Sequence, residues 1–508
     1  MLDIQSWQAN WTTDNRRRIA LILGLAMALV GGLVGLSLAL GGPIITVGLL
    51  GALLVAVWAL TNLEIGTWGV IAIVALFPFG TLPFKLILTP TFLDLAMGGV
   101  FAVYAMQWMT GQRRHLLTTP LHGLILGFML LVSFDFVAGL RYAGLTPALL
   151  RHFAEFLLSM LLALMLVDTL RTPVQLKRLV RVMMLAGAAA ALLGIVLYAL
   201  PNGLAERLLN ALSVFGYPEG GVIRYIEDNP DLAERAISTS VDPNAFGGFL
   251  AIIAAIIAPQ LGTRYPVLGR RWVAGGALAI VVACLVLTYS RGAMVAFGAA
   301  LAFIAALKYR RLLLVGVVIG ALLMLLPQAQ NYVERFVQGA QGADLATQMR
   351  FGEYGDALKL IARYPVIGVG FGGSPDIDLY LGVSSIYLLI AESMGLVGLV
   401  AFLVVMGAVL AYALAARRAL QTQPGLEPLM LGLTAGLLAA LVGGIFDHYF
   451  FNIEFQHAVT MLWLTVGLTL AVGRMGHQGA DSRAPSGYAE DGQHAVPPRA
   501  RDNRPIIG

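Results

Sequence analysis

Apolar residues run along this chain in long blocks, without the short alternation that marks a half-buried strand. The blocks fall near residues 18–40, 43–62, 66–82, 92–109, 119–138, 148–168, 178–200, 243–261, 272–289, 292–308, 311–326, 384–414, 427–446 and 456–473. Crossing a hydrocarbon core of roughly 30 Å takes about twenty helical residues. The pattern therefore predicts an all-α, polytopic integral membrane protein with about fourteen transmembrane helices. The block at 66–82 is short and is interrupted by Pro78.

The polar positions between blocks alternate in charge. Arg16–Arg18, Arg113 and Arg114, the group Arg171/Lys177/Arg178/Arg181, the group Arg264/Arg270/Arg271, the group Lys308/Arg310/Arg311, and Arg417 with Arg418 all fall on one side if fourteen crossings are counted. Arg474 and Arg483 fall there too. Positive-inside reasoning makes that side the cytoplasm and puts both termini in it. One missed helix would invert the later half, so the agreement of so many loops constrains the count. Two long segments, about 201–242 and 327–383, then face outward. Loops of that length are usually functional or disordered. The second reads as folded, because Met349 to Leu360 has helical periodicity and Pro365 to Gly373 reads as a turn.

The expected organisation is a cytoplasmic N-terminal segment at 1–17, a transmembrane domain at 18–474 and a disordered cytoplasmic tail at 475–508, rich in Gly, Pro, Arg and Asp. The apolar block after Arg16–Arg18 is longer than a signal-peptide core of roughly 7–15 residues, so it reads as a span and not as a cleavable leader. Trp7 and Trp11 are expected at the membrane interface.

Composition agrees with this reading. Of 508 residues 58% are hydrophobic and 12% charged, against roughly 25% charged in a soluble domain. The net charge of +5 is accounted for by the cytoplasmic loops, so no nucleic-acid partner is implied. Cys284 is the single cysteine, which excludes an intramolecular disulfide and a cysteine-rich metal site. The sequence contains no Walker-type glycine loop, HExxH or CxxC, so ATP-driven transport and zinc chemistry have no support.

Charges near membrane spans mark candidate chemistry, because they are costly there. Arg291, in Thr288-Tyr289-Ser290-Arg291-Gly292-Ala293, stands in a very short outward loop. Two readings are open: an interfacial arginine snorkelling to headgroups, or an anion clamp whose planar fork suits phosphate oxygens. Arg235 precedes Asp242-Pro243-Asn244, where Asp242 can cap a helix that Pro243 begins. Helix starts favour anions as well. His448, in Asp447-His448-Tyr449, is either an interfacial histidine beside aromatics or a proton acceptor. Glu392 shares a helix face with Ser385 and is either a carboxylate with a chemical role or a partner for an arginine. Glu353, Asp376 and Asp378 read as solvated loop charges with acceptor binding as the minority reading. Asp94 and Asp135 read as helix-end or interhelical polar groups.

Four motifs occur in order: Arg235…Asp242-Pro243-Asn244; Ser290-Arg291-Gly292-Ala293; Arg350 followed by Pro365-Val366-Ile367-Gly368-Val369-Gly370; and Tyr387…Glu392-Ser393-Met394-Gly395-Leu396-Val397-Gly398. Together, over roughly 230–470, they resemble the O-antigen ligase and polymerase family of bacterial envelope glycosyltransferases. The resemblance implies a multi-pass protein of the bacterial inner membrane. Its implied donor is a glycan on undecaprenyl pyrophosphate, its acceptor is another glycan or a glycolipid, and it implies no metal or cofactor. Arg235, Arg291 and Arg350 match the family's pyrophosphate-binding arginines, and Ser384, Ser385 and Tyr387 fall at its acceptor groove. Family ligases carry a His-Asn-type pair nine residues before Gly-x-x-Gly. Here Gly395 and Gly398 keep the spacing while Ser384-Ser385 replaces the pair, which favours a polymerase over a ligase. A serine hydroxyl is a poor base near neutral pH, so His448 first and Glu392 second are the catalytic candidates. The rival readings are a transporter or flippase for a lipid-linked anion, and an inactive binder of lipid-linked glycans. The first would show duplicated halves, and no clear internal repeat is present.

Overall fold

The computed structural model describes residues 62–82, 89–311, 345–373, 382–421 and 425–481, with a few isolated positions besides. The predicted spans at 18–40, 43–62 and 311–326 lie almost wholly outside the described residues. So do the N-terminal segment, Asp376, Asp378 and the tail beyond Asp481.

The described chain is helical throughout apart from one tiny hairpin. In order it forms α1 (Leu63–Leu76), α2 (Phe92–Met109), α3 (His122–Gly139), α4 (Pro147–Thr169), α5 (Pro173–Ala199) and α6 (Asn202–Asn210). The hairpin of β1 (Arg224–Tyr225) and β2 (Glu234–Arg235) follows, then α7 (Pro243–Ile257), α8 (Arg271–Leu287), α9 (Arg291–Leu307), α10 (Leu345–Arg363), α11 (Ile386–Leu420), α12 (Glu427–Gly443) and α13 (Gln456–Asp481). Seven of these are long and apolar enough to cross a membrane, and α1, α8, α9 and α12 are shorter apolar helices. The protein is thus an all-α polytopic membrane protein, as the hydropathy pattern predicts.

Local sequence explains the helix starts. Thr146, Thr172 and Asp242 each cap a helix whose first residue is proline, fixed at helical φ with no amide to lose. Asp94 closes a capping box with Thr91, which settles it as a helix-end group.

Helices α13 and α7 form the centre: the apolar window of α13 is wholly buried and that of α7 is 89% buried. Helix α13 packs on α4 and α11, and α12 packs on α7 and α9. Small residues let the backbones approach, as membrane packing requires. A Cβ on Gly432 would stand 2.7 Å from the Ile256 carbonyl, and one on Gly467 2.7 Å from Ala163 Cα. Leu130, Val137, Leu403 and Val404 are exposed on the outside of the bundle, where lipid would meet them.

The bundle has two chemically different ends. One carries the basic residues. There Asp168, fully buried, accepts from Arg113 Nη1 at 2.8 Å, from the Leu117 amide at 2.9 Å and from the Tyr104 hydroxyl at 3.1 Å. Glu427 pairs with Lys308 and Arg417. The other end carries α6, the hairpin and α10.

Two sequence expectations change here. The block at 384–414 is not one straight span: α11 is broken at Gly395 (φ 66°, ψ −174°). At ~1.5 Å per residue, its 35 residues would otherwise greatly exceed a bilayer core. The turn at 365–370 closes the break. The Val369 amide donates to the Glu392 carbonyl and the Gly370 amide to the Ser393 carbonyl, both at 2.8 Å, while the Leu396 amide donates to the Pro365 carbonyl at 2.7 Å. The second change is at the tail, where helix continues to Asp481. Arg474, 4% exposed, donates to the Leu170 carbonyl at 2.8 Å and ties this end to α4.

Candidate functional site

Arg235 ends the hairpin, opposite Arg224 across the two strands. The chain beyond it is fastened to the α8–α9 turn by the Ala236 amide, which donates to the Leu287 carbonyl at 2.8 Å. The guanidinium then spans two helix ends: Nε donates to the Thr288 carbonyl at 2.8 Å, and Nη2 to Asn244 Oδ1 at 2.6 Å. Arg291, the first residue of α9, stands three residues beyond Thr288. The α9 start fits tightly against α7, since a Cβ on Gly247 would come within 3.0 Å of the Ser290 and Ala293 side chains. It fits as tightly against the α12–α13 loop, where a Cβ on Gly292 would meet Phe446 at 2.8 Å. The starts of α7 and α9 therefore pack together beside Arg235, with Asp242 occupying its own cap by accepting from the Ala245 amide at 2.7 Å.

Arg350 on α10 reaches the same loop, with Nη2 3.8 Å from Asp447 Oδ2. The His448 amide donates to Asp447 Oδ1 at 2.9 Å, and His448 Nδ1 lies 3.3 Å from Asn452 Nδ2. Electrostatics tie the cluster together. Burial draws the Arg235 guanidinium below its ordinary range, with Asp242 and Asp447 opposing the shift and Arg350 adding to it. Burial likewise pushes the Asp447 carboxyl up, while the charges of His448 and Arg350 pull it down and Asp242 pushes it further up. An arginine stays charged regardless, so Arg235 and Arg350 stand as partly desolvated cations beside Asp447.

The serine pair is adjacent. The Ser384 amide and hydroxyl both donate to Glu353 Oε2, at 3.0 and 2.7 Å, and the Tyr354 hydroxyl donates to the Ser384 carbonyl at 3.2 Å. Glu353 is therefore bound to the α11 entrance, which corrects its reading as a solvated loop charge. Ser385 is buried, the Ile386 amide donates to the Gly444 carbonyl at 2.8 Å, and the Tyr387 hydroxyl donates to the Leu441 carbonyl at 2.7 Å. Glu392 is 1% exposed and sits at the helix break, under the 365–370 turn.

Arg235, Arg350 and His448 thus converge with Asp447, and Arg291 enters from the same α8–α9 turn. Ser384, Ser385 and Tyr387 line the α11 entrance beside the α12 end. Sequence reasoning missed Asn244, Asp447, Tyr354 and the role of Glu353. The signal available for Glu353 was its place one helical turn after Arg350. Among the described residues no group of three metal-ligating side chains occurs. A cavity of about 290 Å³ is lined by Tyr217, Arg224, Ser238 and Thr239 among others.

Comparison with known proteins gives one family match: residues 276–403 fit the family described as O-antigen ligase. No curated protein matches. Among solved structures, one chain from a study entitled "Structural coordination of polymerization and crosslinking by a peptidoglycan synthase complex" is similar. It is 20% identical over 70% of this chain and 98% of its own length, with a TM-score of 0.39, too low for any inference.

Proposed function

We propose that this chain, a membrane protein with an O-antigen ligase family domain, is a glycosyltransferase that acts on undecaprenyl-pyrophosphate-linked glycans and polymerises their repeats. The reaction would take place at the outer face of a bacterial inner membrane, with both termini cytoplasmic. A transmembrane unit at 18–474 would bear the site in its loops at 201–242 and 327–383. The observation that carries it is the placement of Arg235. A half-buried guanidinium, fixed to the end of α8 and the start of α7 and joined by Arg350, is the arrangement a diphosphate requires.

In this reading Arg235, Arg291 and Arg350 hold the pyrophosphate. They stabilise the charge that grows on it as the glycosidic bond breaks. The donors are preorganised, because Arg235 is already held by Thr288 and Asn244 before substrate arrives. His448, in the same loop as Asp447, is assigned to hydrogen-bond the departing diphosphate. Glu392, whose backbone carbonyl accepts from the Val369 amide, is assigned to the helix break. Ser384, Ser385 and Tyr387 form the floor of the acceptor groove. Serines in place of the His-Asn-type pair favour extension of a glycan over transfer to a glycolipid. No metal or cofactor is assigned a part.

The test is incubation of the purified protein in proteoliposomes with lipid-linked oligosaccharides extracted from the producing cells, followed by gel analysis of chain length. A ladder of extended products is expected. A single transfer product would mark a ligase. Movement of donor between leaflets without new glycosidic bonds would mark a flippase.

A further inference from the structure

One turn of α10 carries three side chains with separate anchors. Arg350 reaches Asp447, Glu353 accepts two hydrogen bonds from Ser384, and the Tyr354 hydroxyl donates to the Ser384 carbonyl. Residues three apart on a helix are neighbours, with Cβ atoms about 5–6 Å apart. The Glu353 carboxylate therefore stands beside the cation cluster, at the place where the serine pair provides no base of its own. Tyr354 feels the charges of Arg350, Glu353 and Asp447 together. Glu392 of α11 feels the charges of both Glu353 and Asp356.

We propose that Glu353 is the catalytic base of this protein, taking the proton from the attacking acceptor hydroxyl, and that Ser384 is the residue that positions it. The proposal rests on the glycosyltransferase reading above. In the step, the acceptor hydroxyl oxygen forms a bond to C1 of the donor sugar. The bond from C1 to the pyrophosphate oxygen breaks, and its electron pair leaves with the pyrophosphate held by Arg235 and Arg350. The hydroxyl proton passes to the Glu353 carboxylate and from there to water. Both hydrogen bonds from Ser384 fall on Oε2, so Oε1 is the oxygen assigned to the acceptor. Attacking and leaving groups are then served from neighbouring positions on one turn of α10. His448 is less suited to this task, because its contacts with Asn452 and Phe455 hold it within its own loop.

The experiment compares wild-type protein with Glu353→Gln and Ser384→Ala in the proteoliposome assay across a pH series, using the same lipid-linked oligosaccharide extract. Glutamine keeps an oxygen for Ser384 but cannot take the proton. Glu353→Gln is expected to lower kcat by about 10²–10⁴-fold, to leave the donor KM unchanged and to abolish the acid limb of the pH profile. Ser384→Ala removes the hydroxyl that holds Oε2, so kcat should fall with donor KM unchanged, and Ser384→Thr, which keeps the hydroxyl, should recover it, a rescue that a merely structural contact would not produce. Turnover of Glu353→Gln within tenfold of wild type, or an unchanged kcat in Ser384→Ala, overturns the proposal. The second criterion applies even if Glu353→Gln does not fold. Wild-type protein without any turnover overturns the functional reading itself, and the base assignment with it.

Discussion

Gly368 and Gly395 meet backbone to backbone: a Cβ on Gly368 would stand 2.6 Å from the Gly395 amide nitrogen. The reverse substitution is no easier, since a Cβ on Gly395 would lie 2.2 Å from the Val366 carbonyl oxygen. Gly395 also occupies a backbone region that is essentially restricted to glycine, at a cost of about 1–3 kcal/mol for other residues. Gly395→Ala is therefore expected to destabilise the protein by more than about 1–3 kcal/mol, seen as a clear fall in melting temperature in detergent. Gly407→Ala is the control, because nothing lies within 4 Å of its Cβ position and alanine favours helix. Equal melting of the two variants would contradict the described break in α11.

The pattern of blocks in the sequence revealed the helices, because lipid demands continuous apolar runs, but it did not reveal this break. A single glycine at positive φ leaves no mark on hydropathy, so 384–414 reads as one span. The capped start at Asp242-Pro243 was legible, since its chemistry is local. The pairing of Glu353 with Ser384 was not, because it joins residues 31 positions apart. The helical end at 475–481 was also hidden: its glycines suggest disorder, and the contacts that order it are tertiary, with Arg474 donating to the Leu170 carbonyl and Tyr412 lying against His477.

Membrane orientation is testable with single cysteines. In a Cys284→Ser background, Glu219→Cys and Gln421→Cys are both exposed, at opposite ends of the bundle. An impermeant thiol reagent should label the first from the extracytoplasmic side and the second from the cytoplasmic side. Labelling of both from one side would defeat the alternation of basic loops.

At the basic end, Asp168 is the anchor. Removing one partner of a buried ion pair costs about 3–5 kcal/mol, because the remaining charge is left uncompensated. Asp168→Ala should strip Arg113 and the Leu117 amide of their acceptor and lower the melting temperature strongly. Donor affinity per folded molecule should stay the same. A variant that melts like wild type would show that Arg113 finds another partner.

Asp447 links stability to pH. Its carboxyl is held above the ordinary carboxylate range, burial being the largest cause. An acid with a raised folded-state pKa costs stability as pH rises through its unfolded value, and the full cost is reached above its folded value. Asp447→Asn is therefore expected to melt higher than wild type near neutral pH, with the difference closing as pH falls below the ordinary carboxylate pKa. Thermal melts at several pH values decide it. A variant less stable at neutral pH than in acid, relative to wild type, would mean that the pairing with Arg350 outweighs burial.

The central claim is that Arg235 receives a diphosphate, and its most direct measurement is the affinity of the protein in nanodiscs for undecaprenyl pyrophosphate. Charge-assisted hydrogen bonds are worth roughly 1.5–3 kcal/mol each, so Arg235→Ala should weaken binding at least tenfold while the protein stays folded. Arg235→Lys should recover little, because a point charge cannot reproduce the fork that spans Thr288 and Asn244. Undiminished affinity in a folded Arg235→Ala protein would contradict the account.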